Sequence, residues 1–166
     1  MFYIVEEESK LVNLENLIRL GCYVEVIPTH DLYHPKLTSP IAVYLRLLKS
    51  DHGFIIPIDH DEGLNINKQR VYELLLKSKK LYTVDKKKLL YHFNLQDATD
   101  LSLLYCMVKF DRLEIDRSNP TINYFYNKFR DKPFINQLIP LSKLYESYEN
   151  FYDKIKFVID FEKPSG

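Results

Sequence analysis

The sequence predicts an α/β domain: a mixed sheet containing a three-strand antiparallel meander, with helices on its faces. Three observations point there. Cys22–Ile27, Ile41–Leu48 and Phe54–Ile58 are apolar, partly β-branched runs that follow one another with turn-forming residues between them. Beyond Asn67 the apolar spacing becomes mainly helical, interrupted by one strand-like run, Leu81–Val84. The 166 residues, 46% apolar and 14% aromatic, suffice for one hydrophobic core. The expected domain covers residues 1–161, with 162–166 as a linker or cut end.

Each element has its own reason. Phe2–Val5 is a short apolar run, expected as a first strand. Ser9 is placed to cap a helix in which Leu11, Leu14, Leu17 and Ile18 recur at helical spacing, and Gly21 closes it. CYVEVI is the next strand, ended by Pro28 and followed by the turn-rich connector THDLYHPKLTSP. IAVYLRLL, the turn SDHG and the return strand FIIPI complete the meander, with Pro57 near an edge or at the strand's own end. Asn67 is placed to cap a helix over Lys68–Lys77, and Asp85 begins another that holds Leu89, Leu90 and Phe93. Asp97 or Thr99 starts a helix over Asp100–Val108. Pro120 opens a further helix with Ile122, Phe125, Tyr126 and Phe129 on one face. A last helix runs from about Ile135 to Ile155, with Pro140 in its first turn or kinking it. FVIDF, Phe157–Phe161, reads as a closing strand.

Composition narrows the function classes. Twenty-three basic and 23 acidic residues cancel, so no overall basic charge announces a polyanion partner, although a neutral total can hide a basic face. Cys22 and Cys106 are far apart and lack CxxC spacing, which argues against a disulfide scaffold and structural zinc. Both lie in apolar stretches, where a thiol is inert. MFYIVEEESK has neither the basic start nor the apolar core of a signal peptide, and no run reaches bilayer length. A soluble, intracellular protein, cytoplasmic or organellar, is expected. No GxSxG, P-loop or GxGxxG is present, and four glycines leave few backbone cradles for phosphate.

Four clusters merit weighing as chemistry. His30, Asp31 and His34 have the i, i+4 histidine spacing of a metal pair, but Pro28 and Pro35 break the helix that would fix it, leaving a polar loop. In IDHDEG, Asp59, Asp61 and Glu62 offer oxygen ligands for magnesium, but the alternating twelve-residue pattern of a calcium loop is absent, and acidic residues after a strand usually form a solvated turn. Lys86 and Lys87 stand with Lys88 in a helix's first turn, against its dipole; the readings are a solvated face or a phosphate contact. In INYFYNKFRDKPF, Lys128, Arg130 and Lys132 are interleaved with aromatics, as in nucleic-acid platforms, although helical spacing assigns most of those rings to a core.

The order of segments resembles the 3′–5′ exonuclease domain of family A DNA polymerases, which has a ribonuclease H-like fold. GFIIPIDHDEG resembles its third strand and exit, LYTVDKKKLLYHF the next strand and helix, ATDLSLLYCMV the helix after that, and LIPLSKLYESYENFYDKI the last helix. The resemblance covers most of the chain. It implies a ribonuclease H-like mixed sheet and, in active members, four carboxylates around two metal ions. It places the leading acidic pair at Ile27 and Thr29, or with a shifted alignment at Glu25 and Ile27; neither is a pair of acids. Asp85 and Asp100 match the later acidic segments as vestigial positions, and INQLIPLSK carries no carboxylate where the last is expected. The resemblance therefore implies a catalytically inactive exonuclease-like domain at the front of a viral or similarly AT-rich DNA polymerase. It would have no catalytic or metal-binding residue and no cofactor, and would act in DNA replication as structural support or by contacting DNA or replication proteins. Its partners would be DNA or the polymerase part of the same chain, with no membrane. Alternatives are an active Mg2+-dependent exonuclease with a rearranged site of Asp31, Asp59, Asp61 and Asp100, and an unrelated protein-interaction module.

Overall fold

The structure is a computed structural model and describes residues 2–29, 38–62, 64–109 and 136–162. Six strands form one sheet: β1 (Phe2–Ile4), β2 (Cys22–Pro28), β3 (Pro40–Leu47), β4 (Gly53–Pro57), β5 (Leu81–Thr83) and β6 (Thr99–Asp100). Their order is β1-β4-β3-β2-β5-β6. β3 runs antiparallel to both neighbours, Glu25 facing Tyr44 and Tyr44 facing Ile55. The other pairings are parallel. The expected meander is therefore present, and β3 is the one strand reversed against the rest. β2, β3 and β4 are buried along nearly their whole length, as expected for strands covered on both faces.

The described helices are α1 (Glu8–Leu17), α2 (Lys68–Leu76), α3 (Lys86–Phe93), α4 (Leu101–Lys109) and α5 (Leu141–Ile155). Alternation along the strands divides the core in two. Val24, Val26, Val43, Leu45 and Ile56 meet Leu11 and Leu14 of α1, Val71 and Leu74 of α2, and Leu89 and Phe93 of α3. Tyr23, Ile27, Tyr44 and Ile55 meet Leu101 and Tyr105 of α4 and Leu144, Tyr148, Phe151 and Tyr152 of α5. The result is a mixed sheet between two helical layers, the α/β arrangement expected for a ribonuclease H-like domain.

Two caps read from sequence are present: Asn67 Oδ1 accepts from the Gln69 N–H at 2.8 Å, and Asp85 Oδ1 from the Lys88 N–H at 3.1 Å. Other expectations are corrected. Ser9 does not cap α1; the helix starts at Glu8, and the Ser9 hydroxyl turns back to Glu7 Oε2 at 3.5 Å. Asp100 is not helical but ends β6, because Thr99 and Asp100 pair with Tyr82 and Thr83. The long last helix begins at Leu141, after a 3₁₀ turn over Asn136–Leu138. Pro140 disfavours helical geometry at Ile139, so it stands at the cap position rather than inside the helix. FVIDF is not a strand: Lys156–Phe161 continues from α5 as a 3₁₀ helix, placing Val158 in the core beside α4. The helix expected after Pro120 lies outside the described residues. No described helix is long and apolar enough to cross a membrane.

Candidate functional site

Because β2, β4, β5 and β6 point the same way, their exits share one end of the sheet, where ligand sites of α/β proteins form. Asp59 and Asp61 follow β4, Asp85 follows β5, and Asp100 closes β6. Glu25 lies in β2.

Glu25 is fully buried. It stands two residues after Tyr23 and so shares its side of the strand. The Tyr23 hydroxyl donates to Glu25 Oε2 at 3.0 Å, and the Thr83 hydroxyl to Oε1 at 2.7 Å. Burial pushes the Glu25 carboxyl above its ordinary range; the Lys88 charge, then the Thr83 hydrogen bond, oppose this. Asp100 is also raised by burial, against hydrogen bonds from the Ser102 hydroxyl at 2.5 Å and the Leu103 N–H at 3.1 Å. The Leu103 bond makes Asp100 the cap of α4, as Asp85 is the cap of α3.

The positions expected to carry the leading acidic pair are otherwise occupied. Ile27 is buried in the core. Thr29 continues the β2–β3 ladder, its N–H donating to Ser39 O at 2.9 Å, and its carbonyl accepts from the Asn136 N–H at 2.9 Å. Asn136, in the segment where a last carboxylate was expected, is buried and donates through Nδ2 to Pro28 O at 2.7 Å.

IDHDEG becomes a clasp. The Glu62 N–H donates to His60 Nδ1 at 3.0 Å, which leaves Nε2 to donate to Ile139 O at 2.9 Å. Glu62 Oε2 accepts from the Leu141 N–H at 2.9 Å, at the first residue of α5. The loop thus fastens the exit of β4 to the start of the last helix, while Asp59 and Asp61 are exposed. Periodicity shows no such use for His60 and Glu62, because their partners lie 79 positions away.

A two-metal centre needs several free carboxylates facing one space. Among the described residues, no three His, Cys, Asp or Glu side chains come together as a metal-ligand set. Asp85 and Asp100 are used as caps, and Glu25 holds two hydrogen bonds. Among the described residues, then, this donor set brings no three ligands to one ion. Three strands, β3, β2 and β5, separate β4 from β6, so Asp59 and Asp61 leave the sheet about 19 Å from Asp100's strand. The rearranged site assembled from Asp31, Asp59, Asp61 and Asp100 has no such convergence among its described members. Asp31, His30 and His34 lie outside the described residues, as do Lys128, Arg130, Lys132 and the rest of 122–134. Lys86 is half-buried and Lys87 exposed. Cys22 and Cys106 are free and buried; burial pushes the Cys22 thiol up to about 12.

The strand order and the two helical layers match a ribonuclease H-like exonuclease fold. Solved structures of nuclease domains are similar to the chain. One is the EXO domain of Nibbler from Aedes aegypti, at 14% identity, covering 96% of this chain and 88% of that one, with a TM-score of 0.55. Another is the apo form of a nuclease, at 11% identity, covering 96% and 78%, with a TM-score of 0.51. Likeness at such identity concerns the fold alone. No protein-family model matches the chain. No curated protein matches it either.

Proposed function

We propose that this chain is an exonuclease-like domain without metal-dependent nuclease activity, belonging to a DNA polymerase that it supports structurally while contacting DNA. The observation that carries the reading is Glu25: the acid of β2 is fully buried and hydrogen-bonded by Tyr23 and Thr83. Its companion position, Ile27, is a core residue. A carboxylate held in this way is closed off from solvent, with one lone pair on each oxygen already taken.

The polymerase context rests on the likeness of GFIIPIDHDEG, LYTVDKKKLLYHF and the last helix to the family A exonuclease segments. Lys86 and Lys87, at the start of α3, are the proposed phosphate contacts, together with Lys128, Arg130 and Lys132. Asp85 and Asp100 are vestiges of the acidic segments, now serving as helix caps.

The test is incubation of the purified protein with end-labelled single-stranded DNA and Mg2+ or Mn2+. The substrate should stay intact. Metal-dependent digestion abolished by Asp100→Ala would overturn the reading. The DNA contact is tested separately. Binding should weaken steeply with added salt, and Lys86→Ala/Lys87→Ala should flatten that dependence.

A further inference from the structure

We infer that the cleft between the start of α2 and the end of α3 binds a nucleotide, with its base on Tyr91 and its phosphate on Lys68. The inference goes beyond the lysine contacts proposed above. It rests on the DNA-contact reading only for a strand, rather than a free nucleotide, as the source of that unit.

The cleft holds about 550 Å³, within the range of small-ligand sites. Its wall combines aromatic rings with polar groups that the fold leaves unused. Tyr72 and Tyr91 offer rings of the kind on which bases stack, and Tyr91 is 55% exposed. Lys68 brings a full positive charge, and no carboxylate lines the cleft among the described residues. The Lys68 ammonium lies 5.5 Å from the centre of the Phe93 ring and has no acidic partner among the described residues. An anion is the complement of such a wall.

His92 points to a ligand independently. It lines the same cleft, is 7% exposed, and its Nε2 has no hydrogen-bond partner among the described residues. A buried nitrogen without a partner is an exception in native proteins. Burial, ahead of the Lys68 and Lys88 charges, keeps the imidazole neutral, so it can donate or accept toward a base edge. The Tyr91 ring stands edge-on to it, ring centres 5.2 Å apart, and the turn of Tyr91 onto a bound base would open Nε2 to that base. The exposed amide of Gln69 adds a donor and an acceptor. Lys87 and Tyr91, four residues apart on α3 and both exposed, share one face. A single strand with a phosphate on Lys87 would therefore pass Tyr91 and could lend the cleft one base.

The test uses the whole chain and two fluorescent probes: an oligothymidine strand carrying one 2-aminopurine, and free 2-aminopurine deoxyriboside 5′-monophosphate. Wild type should bind at least one, read by the change in base fluorescence. Tyr91→Ala should weaken that binding about tenfold. Lys68→Ala should weaken it and reduce its salt dependence. Both side chains are exposed, so neither change threatens the fold. Binding of the strand alone makes DNA the source, and equal binding of both makes it a free nucleotide; either supports the inference. Binding of neither probe, or binding that survives both substitutions unchanged, would overturn it. Lys86→Ala/Lys87→Ala keeps the two proposals apart: loss of strand binding with that pair, and none with Tyr91→Ala, upholds the DNA contact and sinks the cleft. Digestion of the strand by wild type would instead overturn the non-catalytic reading, and the free nucleotide then tests the cleft alone.

Discussion

Arg46 of β3 and Glu149 of α5 form an ion pair between the sheet and the last helix. Arg46 is only 7% exposed, its Nε and Nη2 donate to Ser50 O, and its guanidinium lies 4.9 Å from the centre of the Tyr152 ring. The Tyr44 hydroxyl donates to the same glutamate. Removing one partner leaves the other charge in a largely dry place. Arg46→Met should cost about 3 kcal/mol, measured by urea unfolding. Arg46→Met/Glu149→Leu should cost less than the two single changes together, because no charge is then stranded.

Gly53 starts β4 directly under the Tyr145 ring. A methyl group there would sit 2.8 Å from Tyr145 Cε2 and closer still to the hydroxyl. Tyr145 also packs on Phe2, with ring centres 4.2 Å apart, so it cannot swing aside without disturbing β1. Gly53→Ala should lower stability by about 1–3 kcal/mol. Pairing it with Tyr145→Leu should restore part of the loss, as a thermal melt of each variant would register.

The clasp between β4 and α5 predicts an asymmetry between two substitutions at one residue. Glu62→Gln keeps an acceptor for the Leu141 N–H and should be nearly silent. Glu62→Ala removes that cap and should cost about 1 kcal/mol. Amide hydrogen exchange should quicken at Leu141 in the alanine variant, with β2 and β3 unchanged. Equal protection in both variants would refute the clasp.

Acid should weaken the fold through His92. Its folded-state value, about 4, lies below the ordinary 6.5, because burial and then Lys68 and Lys88 disfavour the imidazolium. Between those two values the unfolded chain binds a proton that the folded chain does not. Stability therefore falls as pH drops through this window and is fully present above it. His92→Phe should flatten the dependence of urea midpoints across the window.

The fold was readable because its signals are local. The apolar runs of β2, β3 and β4 are short and bounded by proline or turn residues, and Asn67 and Asp85 announce their helices by capping. The errors fall where tertiary context wins. Thr99 and Asp100 are too short a pair to read as a strand, yet β5 offers them an edge. Phe157–Phe161 has strand-like composition, yet it continues α5 without a break and meets α4 instead of a sheet edge.

At the site, the absence of an acidic pair at Ile27 and Thr29 was plain in the residues themselves. The partners of Glu25 were not. Thr83 lies 58 positions away, and no periodicity connects them. The burial of Lys88 was equally hidden, since a row of three lysines reads as one solvated face.

The parallel pairing of β1 with β4 bears on how one flank of the sheet is closed. β4 is buried, apolar and five residues long, so its bare flank would be a good template for another chain. Phe2–Ile4 covers that flank through register partners Gly53, Phe54 and Ile55, with the Tyr3 and Phe54 rings stacked 5.2 Å apart. A three-residue strand is itself a poor template, so the sheet terminates in something too short to recruit a neighbour. Shortening or breaking β1 would cost little of the core. It would nevertheless bare the flank of β4, and association that grows with concentration should follow.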